Sequence, residues 1–190
     1  MWQIRLHGRG GQGVVTAAEL IAIAAFHNGY ESQAFPFFGV ERSGAPIQAF
    51  ARISQQPIQL REHIYQPNII IVQDESLLSA TDVLFGADNN TKLIINTKKT
   101  PTEMANRIKA DKAQSFKIKA KNIYAVDATT IALDIFGRNL VNPIILAAFS
   151  RCTKIIDQEA IIKAIKEKFA DKGPEVIKKN MAAITRAYAL

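Results

Sequence analysis

The residues of this chain with the clearest chemical capacity stand together near its start: Gly8, Arg9, Gly10, Gly11, Gln12 and Gly13. Glycines at this density let a backbone approach an oxyanion closely, and the first N–H groups of a following helix have no partner of their own. A negative group there gains roughly 0.3–1 kcal/mol from the helix dipole. Gly8, Gly10 and Gly13 match the G-x-G-x-x-G spacing of dinucleotide binders. Such a binder also needs an acidic residue about 20 positions on, at the end of the second strand, to hold a ribose. Glu31 is the nearest, but it opens its segment instead of closing it. No Gly-Lys-Ser/Thr follows, so the turn is not a Walker loop. The spacing alone leaves two readings open: a phosphate-facing loop, or a tight strand-to-helix turn without a ligand.

The elements around this turn are legible from pattern. Trp2 to His7 reads as a short strand, and Val14 to Phe26 as a long apolar helix. Tyr30 to Phe35 and Ala45 to Ile53 read as strands, the latter alternating as a half-covered strand would. Ile58 and Leu60 are expected to pair back as a short ribbon. Three continuous β-branched runs follow, Asn68–Asp74, Lys92–Thr97 and Ile123–Asp127, each marking a strand covered on both faces. Helical stretches come after each of them, over Glu75–Ser79, Thr102–Lys109 and Ala128–Phe136. Strand alternating with helix predicts an α/β fold, Rossmann-like, with a mostly parallel sheet flanked by helices. Asp74, Asn96, Thr97 and Asp127 fall at strand C-terminal ends, where open α/β sheets gather ligands and where helix caps also sit. The last third is helical: Asn142 is expected to cap a helix opening on Pro143, Asp157 to cap the next, and Glu175 to Tyr188 forms the last. With no repeat, low-complexity tract or linker, residues 1–190 are expected to form one domain.

Composition narrows the function classes. Twenty-four basic and seventeen acidic residues give a net charge of +7. The excess lysines lack the interleaved aromatics of a nucleic-acid surface, so a solvated basic face is expected and no nucleic acid. No apolar run reaches the ~18 residues of a membrane span, and no secretory signal opens the chain; a cytoplasmic protein is expected. The one cysteine, Cys152, cannot by itself hold an iron–sulfur cluster, a structural zinc or a disulfide. His7, His27 and His63 are not in metal-ligand spacing, and no nucleophile–base–orienter set is visible. Catalytic residues and bound metal are therefore expected to be none. The segment Phe35 to Gly44 is unusual for a loop, with three phenylalanines and the charge pair Glu41–Arg42 between two glycines; such aromatics suggest burial against something.

At this point the motifs resemble a known family. Gly8–Gly13 continuing into Val14-Val15-Thr16-Ala17-Ala18-Glu19 is similar to the opening of the gamma subunit of pyruvate:ferredoxin oxidoreductase. So are Gln33 to Pro46, Ala49 to Ile53, Val126-Asp127-Ala128-Thr129 and Asn142-Pro143. The segment Phe35 to Pro46 looks more like the pyruvate branch than the 2-oxoglutarate branch, although Ser43 stands where the pyruvate type commonly has arginine. The resemblance implies a Rossmann-like gamma domain serving coenzyme A-dependent oxidative decarboxylation of a 2-oxoacid to acyl-CoA, with electrons passed to ferredoxin. It implies alpha, beta and ferredoxin-like delta partners that hold thiamine diphosphate, magnesium and 4Fe–4S clusters, none being held by this chain alone. Gly8, Arg9, Gly10, Gly11, Gln12, Gly13 and Asn142 are then expected to bind a phosphate or a partner's loop. Phe37, Phe38, Glu41, Arg42 and Ser43 are expected at a subunit interface or coenzyme A channel. Two alternatives stay open: a free-standing NAD(P)-binding oxidoreductase, and a gamma subunit for 2-oxoglutarate, branched-chain or indolepyruvate substrates.

Overall fold

The computed structural model describes residues 1–37, 44–111 and 118–189. Strand β1 (Trp2–Arg9) leads through the glycine turn into α1 (Val14–His27), followed by the strands β2 (Glu31–Phe37) and β3 (Pro46–Ser54). Then come β4 (Ile69–Val72), the one-turn helix α2 (Leu77–Ala80), β5 (Lys92–Asn96), α3 (Pro101–Asp111), β6 (Ile123–Val126) and α4 (Ala128–Phe136). Helices α5 (Asn142–Thr153), α6 (Gln158–Lys168) and α7 (Pro174–Tyr188) complete the order. The strands form one sheet in the order β2-β3-β1-β4-β5-β6. The β1/β4, β4/β5 and β5/β6 pairings are parallel, as the apolar runs imply; β1/β3 and β2/β3 are antiparallel.

Strand side chains alternate between two faces, and each face has its own core. Ile4, Leu6, Ile69, Ile71 and Ile94 meet α1, α5, α6 and α7 on one side. Ile70, Val72, Leu93 and Ile95 meet Leu77, Leu84, Met104 and Ile108 on the other. Helix α1 buries eight of its residues, five of them alanines, which lets it lie close to the sheet. Each fully buried leucine or isoleucine stabilises the fold by roughly 1.5–3 kcal/mol.

Three local expectations are corrected. Strand β3 is not half-covered: all residues from Ala49 to Ser54 are buried, because α1 packs on the face of Ala49, Ala51 and Ile53 while residues 60–63 fold over Phe50 and Arg52 on the other. Its Arg52 follows the polar alternation yet is fully buried, donating to Gln33 Oε1 and to the carbonyls of Leu60 and Glu62. Ile58 and Leu60 form no ribbon; that segment is irregular and is held to the sheet by the Arg52 guanidinium. The helix expected over Glu75–Ser79 is the single turn α2, displaced toward the C-terminus because Asp74 and Ser76 hydrogen-bond one another ahead of it.

Candidate functional site

The glycine turn sits where β1 and β4 run parallel while the chain leaves β1 toward α1. That is the edge of an open α/β sheet at which ligands gather. Two contacts bind the turn to the start of β3: Gly10 N–H donates to Ala45 O at 2.8 Å, and Gly44 N–H to Gly10 O at 3.2 Å. Gln12 closes the turn, its N–H donating to Arg9 O at 3.0 Å while its Oε1 accepts from Arg9 N at 2.8 Å. Gly11 and Gly13 take φ values of 91° and 72°, which side chains rarely adopt, so glycine is required at both. Gly8 is needed for a different reason: a Cβ there would lie 2.4 Å from Val14 Cγ2, where α1 approaches β1.

A polar clamp crosses from this turn to the end of β4. Gln12 Nε2 donates to Asp74 Oδ2 at 3.0 Å, and Arg9 Nε lies 3.3 Å from the same oxygen. Arg9 also donates to Ser76 Oγ at 2.6 Å and to Gly44 O at 3.0 Å. Partial burial works against the Asp74 carboxylate, but hydrogen bonds from Ser76 and Gln12 and the Arg9 charge outweigh it and hold its pKa below the usual value. On the far side, Asn142 Nδ2 donates to Gly13 O at 3.0 Å, and Asn142 Oδ1 accepts from Gln73 Nε2 at 2.8 Å. Asn142 is thus not the cap of α5. It is the first helical residue, with Val141 in the cap position, and its amide is spent on the turn.

The turn's anion-binding capacity is narrower than the spacing suggests. The N–H groups of Gly10 and Gln12 are engaged within the protein. Helix α1 opens on Gly13 with no side-chain cap and no acidic residue in its first turn, so its leading N–H groups, with those of Gly11 and Gly13, carry the capacity of the turn. Beside it, Gln12, Gln73, Asp74, Asn96, Thr97 and Asp127 contribute to a crevice of about 280 Å³. Asp127 caps α4 through Thr130 N at 3.0 Å. Asn96 ties β4 to α4, donating to Gln73 O and Thr129 Oγ1, both at 2.9 Å. Glu75 gathers Thr97, Lys99 and Arg107.

Glu31 does not reach this site. It pairs with Ser54 at one end of β3, whereas Arg9 pairs with Pro46 at the other, so the two lie at opposite ends of the sheet, roughly 26 Å apart along the strands. A nucleotide seated on the glycine turn would be out of reach of Glu31.

Of the second group of expected residues, Phe37 ends β2 and is 40% exposed, its ring set against His63 at 4.9 Å. Phe38, Glu41, Arg42 and Ser43 lie outside the described residues. The three histidines are scattered. His7 accepts from Arg5 Nε at 3.1 Å in the buried layer, His27 pairs with Glu167, and His63 stacks on Phe50. Burial pushes the Cys152 thiol up to about 11. Among the described residues no three His, Cys, Asp or Glu side chains gather as a metal-ligand set, and no helix is long and apolar enough to cross a membrane. Sequence reasoning missed Gln73 and the Arg9–Asp74 clamp. The signal available was a run of polar residues, Gln73 to Ser76, directly after a buried strand.

Known proteins match this arrangement over its full length. The family model described as pyruvate ferredoxin/flavodoxin oxidoreductase matches residues 3–190. The chain is 45% identical over 188 residues to the pyruvate/ketoisovalerate oxidoreductases common subunit gamma of Pyrococcus furiosus, covering 99% of this chain and 96% of that one. It is 47% identical over 167 residues to the pyruvate synthase subunit PorC of Methanosarcina barkeri, covering 87% and 85%. The crystal structure of the pyruvate oxidoreductase subunit PORC of Thermotoga maritima superposes with a TM-score of 0.80 at 36% identity, covering 99% and 95%. The 2-oxoglutarate:ferredoxin oxidoreductase of Magnetococcus marinus, with 2-oxoglutarate, coenzyme A and succinyl-CoA bound, shares the fold at a TM-score of 0.73 and 20% identity, this chain spanning 30% of that one. Glycine turn, sheet order and sequence together establish that the chain belongs to the pyruvate ferredoxin/flavodoxin oxidoreductase family.

Proposed function

We propose that the chain is the gamma subunit of a 2-oxoacid:ferredoxin oxidoreductase that acts on pyruvate and forms acetyl-CoA. The observation that carries this reading is the 45% identity, over nearly the whole of both chains, to a gamma subunit of that description. In this reading the chain supplies no reacting group. A single cysteine cannot ligate a 4Fe–4S cluster. The clusters then sit on partner subunits, and the family resemblance implies that alpha, beta and delta partners also hold thiamine diphosphate and magnesium and that ferredoxin takes the electrons.

The turn from Gly8 to Gly13 faces coenzyme A phosphate or a partner's loop with the leading N–H groups of α1. Arg9, Gln12 and Asn142 hold its shape. Phe37, with Phe38, Glu41, Arg42 and Ser43 beyond it, belongs to the adjoining interface or coenzyme A channel. The position of Glu31, far from the turn, counts against a free-standing NAD(P) enzyme.

The Pyrococcus relative, a gamma subunit common to pyruvate and ketoisovalerate oxidoreductases, favours a second reading of substrate. Anaerobic pull-down of the tagged chain from its own cells, with partners identified by mass spectrometry, tests the assembly. The recovered complex is then assayed for coenzyme A-dependent dye reduction with pyruvate, ketoisovalerate and 2-oxoglutarate. A thiamine-diphosphate subunit and a ferredoxin-like subunit are expected, with pyruvate the fastest substrate. Recovery of the chain alone from cells that express those subunits would refute the assembly, and a faster rate with another 2-oxoacid would reassign the substrate.

A further inference from the structure

The glycine turn occupies one end of the sheet, and a second concave region lies at the other. Where the α1–β2 turn meets the α5–α6 junction and the end of α7 there is an open cavity of about 560 Å³. That volume is in the range of small-molecule pockets. Its frame is built and internally satisfied. Asn28 and Asp157 exchange two hydrogen bonds, Nδ2 to Oδ2 at 2.8 Å and Asp157 N to Asn28 Oδ1 at 2.9 Å. Ser150, buried, donates to Ile156 O at 2.7 Å and accepts from the Tyr188 hydroxyl.

Two cations on this frame, Arg151 and Lys154, have no ion-pair partner among the described residues. Arg151 donates from one guanidinium nitrogen to Ala187 O at 3.1 Å, and among the described residues neither Arg151 nor Lys154 is in an ion pair. Asp157 is the one carboxylate in the lining, which leaves two cations facing one anion there, and both of its oxygens are engaged. Its Oδ1 caps α6 through Ala160 N at 2.8 Å, and its Oδ2 takes Asn28. Lys154 is also the only non-glycine described residue at positive φ, 56°, at the position ending α5 where glycine would serve without strain. The chain thus carries a lysine in a glycine's conformation at the lip of the cavity, beside an arginine with most of its fork free. Tyr30, Ile155 and Tyr188 give the same cavity an apolar wall.

We propose that this cavity is a binding site for a small oxyanion-bearing molecule, with Arg151 and Lys154 holding the anion and Tyr30, Ile155 and Tyr188 receiving its apolar body. Phosphate and carboxylate share this chemistry, and the experiment separates them. The full-length chain, isotope-labelled, is titrated with inorganic pyrophosphate in one arm and citrate in the other at fixed ionic strength, reading NMR shifts of Arg151 Nε and of the backbone from Lys154 to Gln158. Saturable shifts at these positions in either arm are expected, and the tighter arm identifies the anion class. Arg151→Gln combined with Lys154→Gln is expected to weaken binding about tenfold or more, the worth of one charge-assisted hydrogen bond. Lys154→Gly removes a cation and a strained backbone position together, so it should weaken binding without lowering the melting temperature. Shifts that rise without saturation in both arms, or binding unchanged in Lys154→Gly and in the double variant, would overturn the assignment.

Discussion

Gly11 and Gly13 are two residues apart, both at positive φ, and yet they should tolerate alanine very differently. At Gly11 an added Cβ meets nothing within 4 Å, so Gly11→Ala bears only the left-handed backbone cost, roughly 1–2 kcal/mol. At Gly13 the same backbone cost applies, and the Cβ would lie 2.8 Å from Asn142 Nδ2. Asn142 must move, which breaks its 3.0 Å bond to Gly13 O and takes its Oδ1 from buried Gln73. A lost hydrogen bond is worth about 0.5–1.5 kcal/mol, and a buried donor left without a partner about 1–3 kcal/mol. Gly13→Ala should then cost about 2.5–6.5 kcal/mol. At roughly 2–4 °C per kcal/mol for a chain of this size, that is about 5–26 °C in melting temperature, against about 2–8 °C for Gly11→Ala. Urea unfolding of both variants, with the m-value checked for constancy, measures the difference. The Asn142→Ala background completes the cycle: with the amide gone, Gly13→Ala should cost no more than Gly11→Ala. Equal losses for the two single variants, or strict additivity with Asn142→Ala, would refute the idea that Asn142 constrains the turn.

Three further outcomes are expected. Burial, and then the Arg5 charge, lower the His7 pKa from 6.5 to about 3. Between those values the unfolded chain takes up a proton that the folded chain does not. Stability is therefore complete above about pH 6.5 and falls by about 1.4 kcal/mol per unit as pH drops toward 3. His7→Gln, which keeps an acceptor for Arg5, should flatten urea-midpoint profiles between about pH 6 and 4.5; an unchanged slope there would assign it to other groups. Arg5→Met removes donors to the carbonyls of Ile64, Val83 and Phe85 and should destabilise by about 3 kcal/mol or more, a loss under about 1 kcal/mol contradicting its bracing role. The raised Cys152 thiol should react with a disulfide reagent at pH 7.5 about two orders of magnitude more slowly in the folded chain than in urea, and equal rates would mean that its burial is illusory.

The helices and the buried strands were legible because their signals are local. Ala128–Phe136 was bounded correctly by its apolar spacing and by Asp127 ahead of it, and the β-branched runs became β4, β5 and β6. Asp157 caps α6 as its position implies. Legibility failed where a residue's role depends on a distant neighbour. Asn142 looks like a cap because asparagine before Pro-Ile-Ile usually is one; nothing nearby announces that Gly13, 129 positions away, claims its amide. Arg52 looks like the exposed side of an alternating strand because alternation does not record that residues 60 and 62 fold over it.

Periodicity and spacing were enough to read an α/β protein opening on a glycine turn, and composition to show that one cysteine cannot ligate an iron–sulfur cluster alone. The resemblance to one enzyme family rests on the identity and order of its motif residues. The tertiary structure decided the strand order, the clamp of Arg9, Gln12 and Asp74 across β1 and β4, and the placing of Glu31 at the opposite end of the sheet from the turn. It also decided which N–H groups of the turn are already engaged. The physical reason is common to all of these. Hydrogen-bond partners and burial are properties of pairs brought together by packing, and a side chain's local pattern is the same whether its partner lies three residues away or more than a hundred.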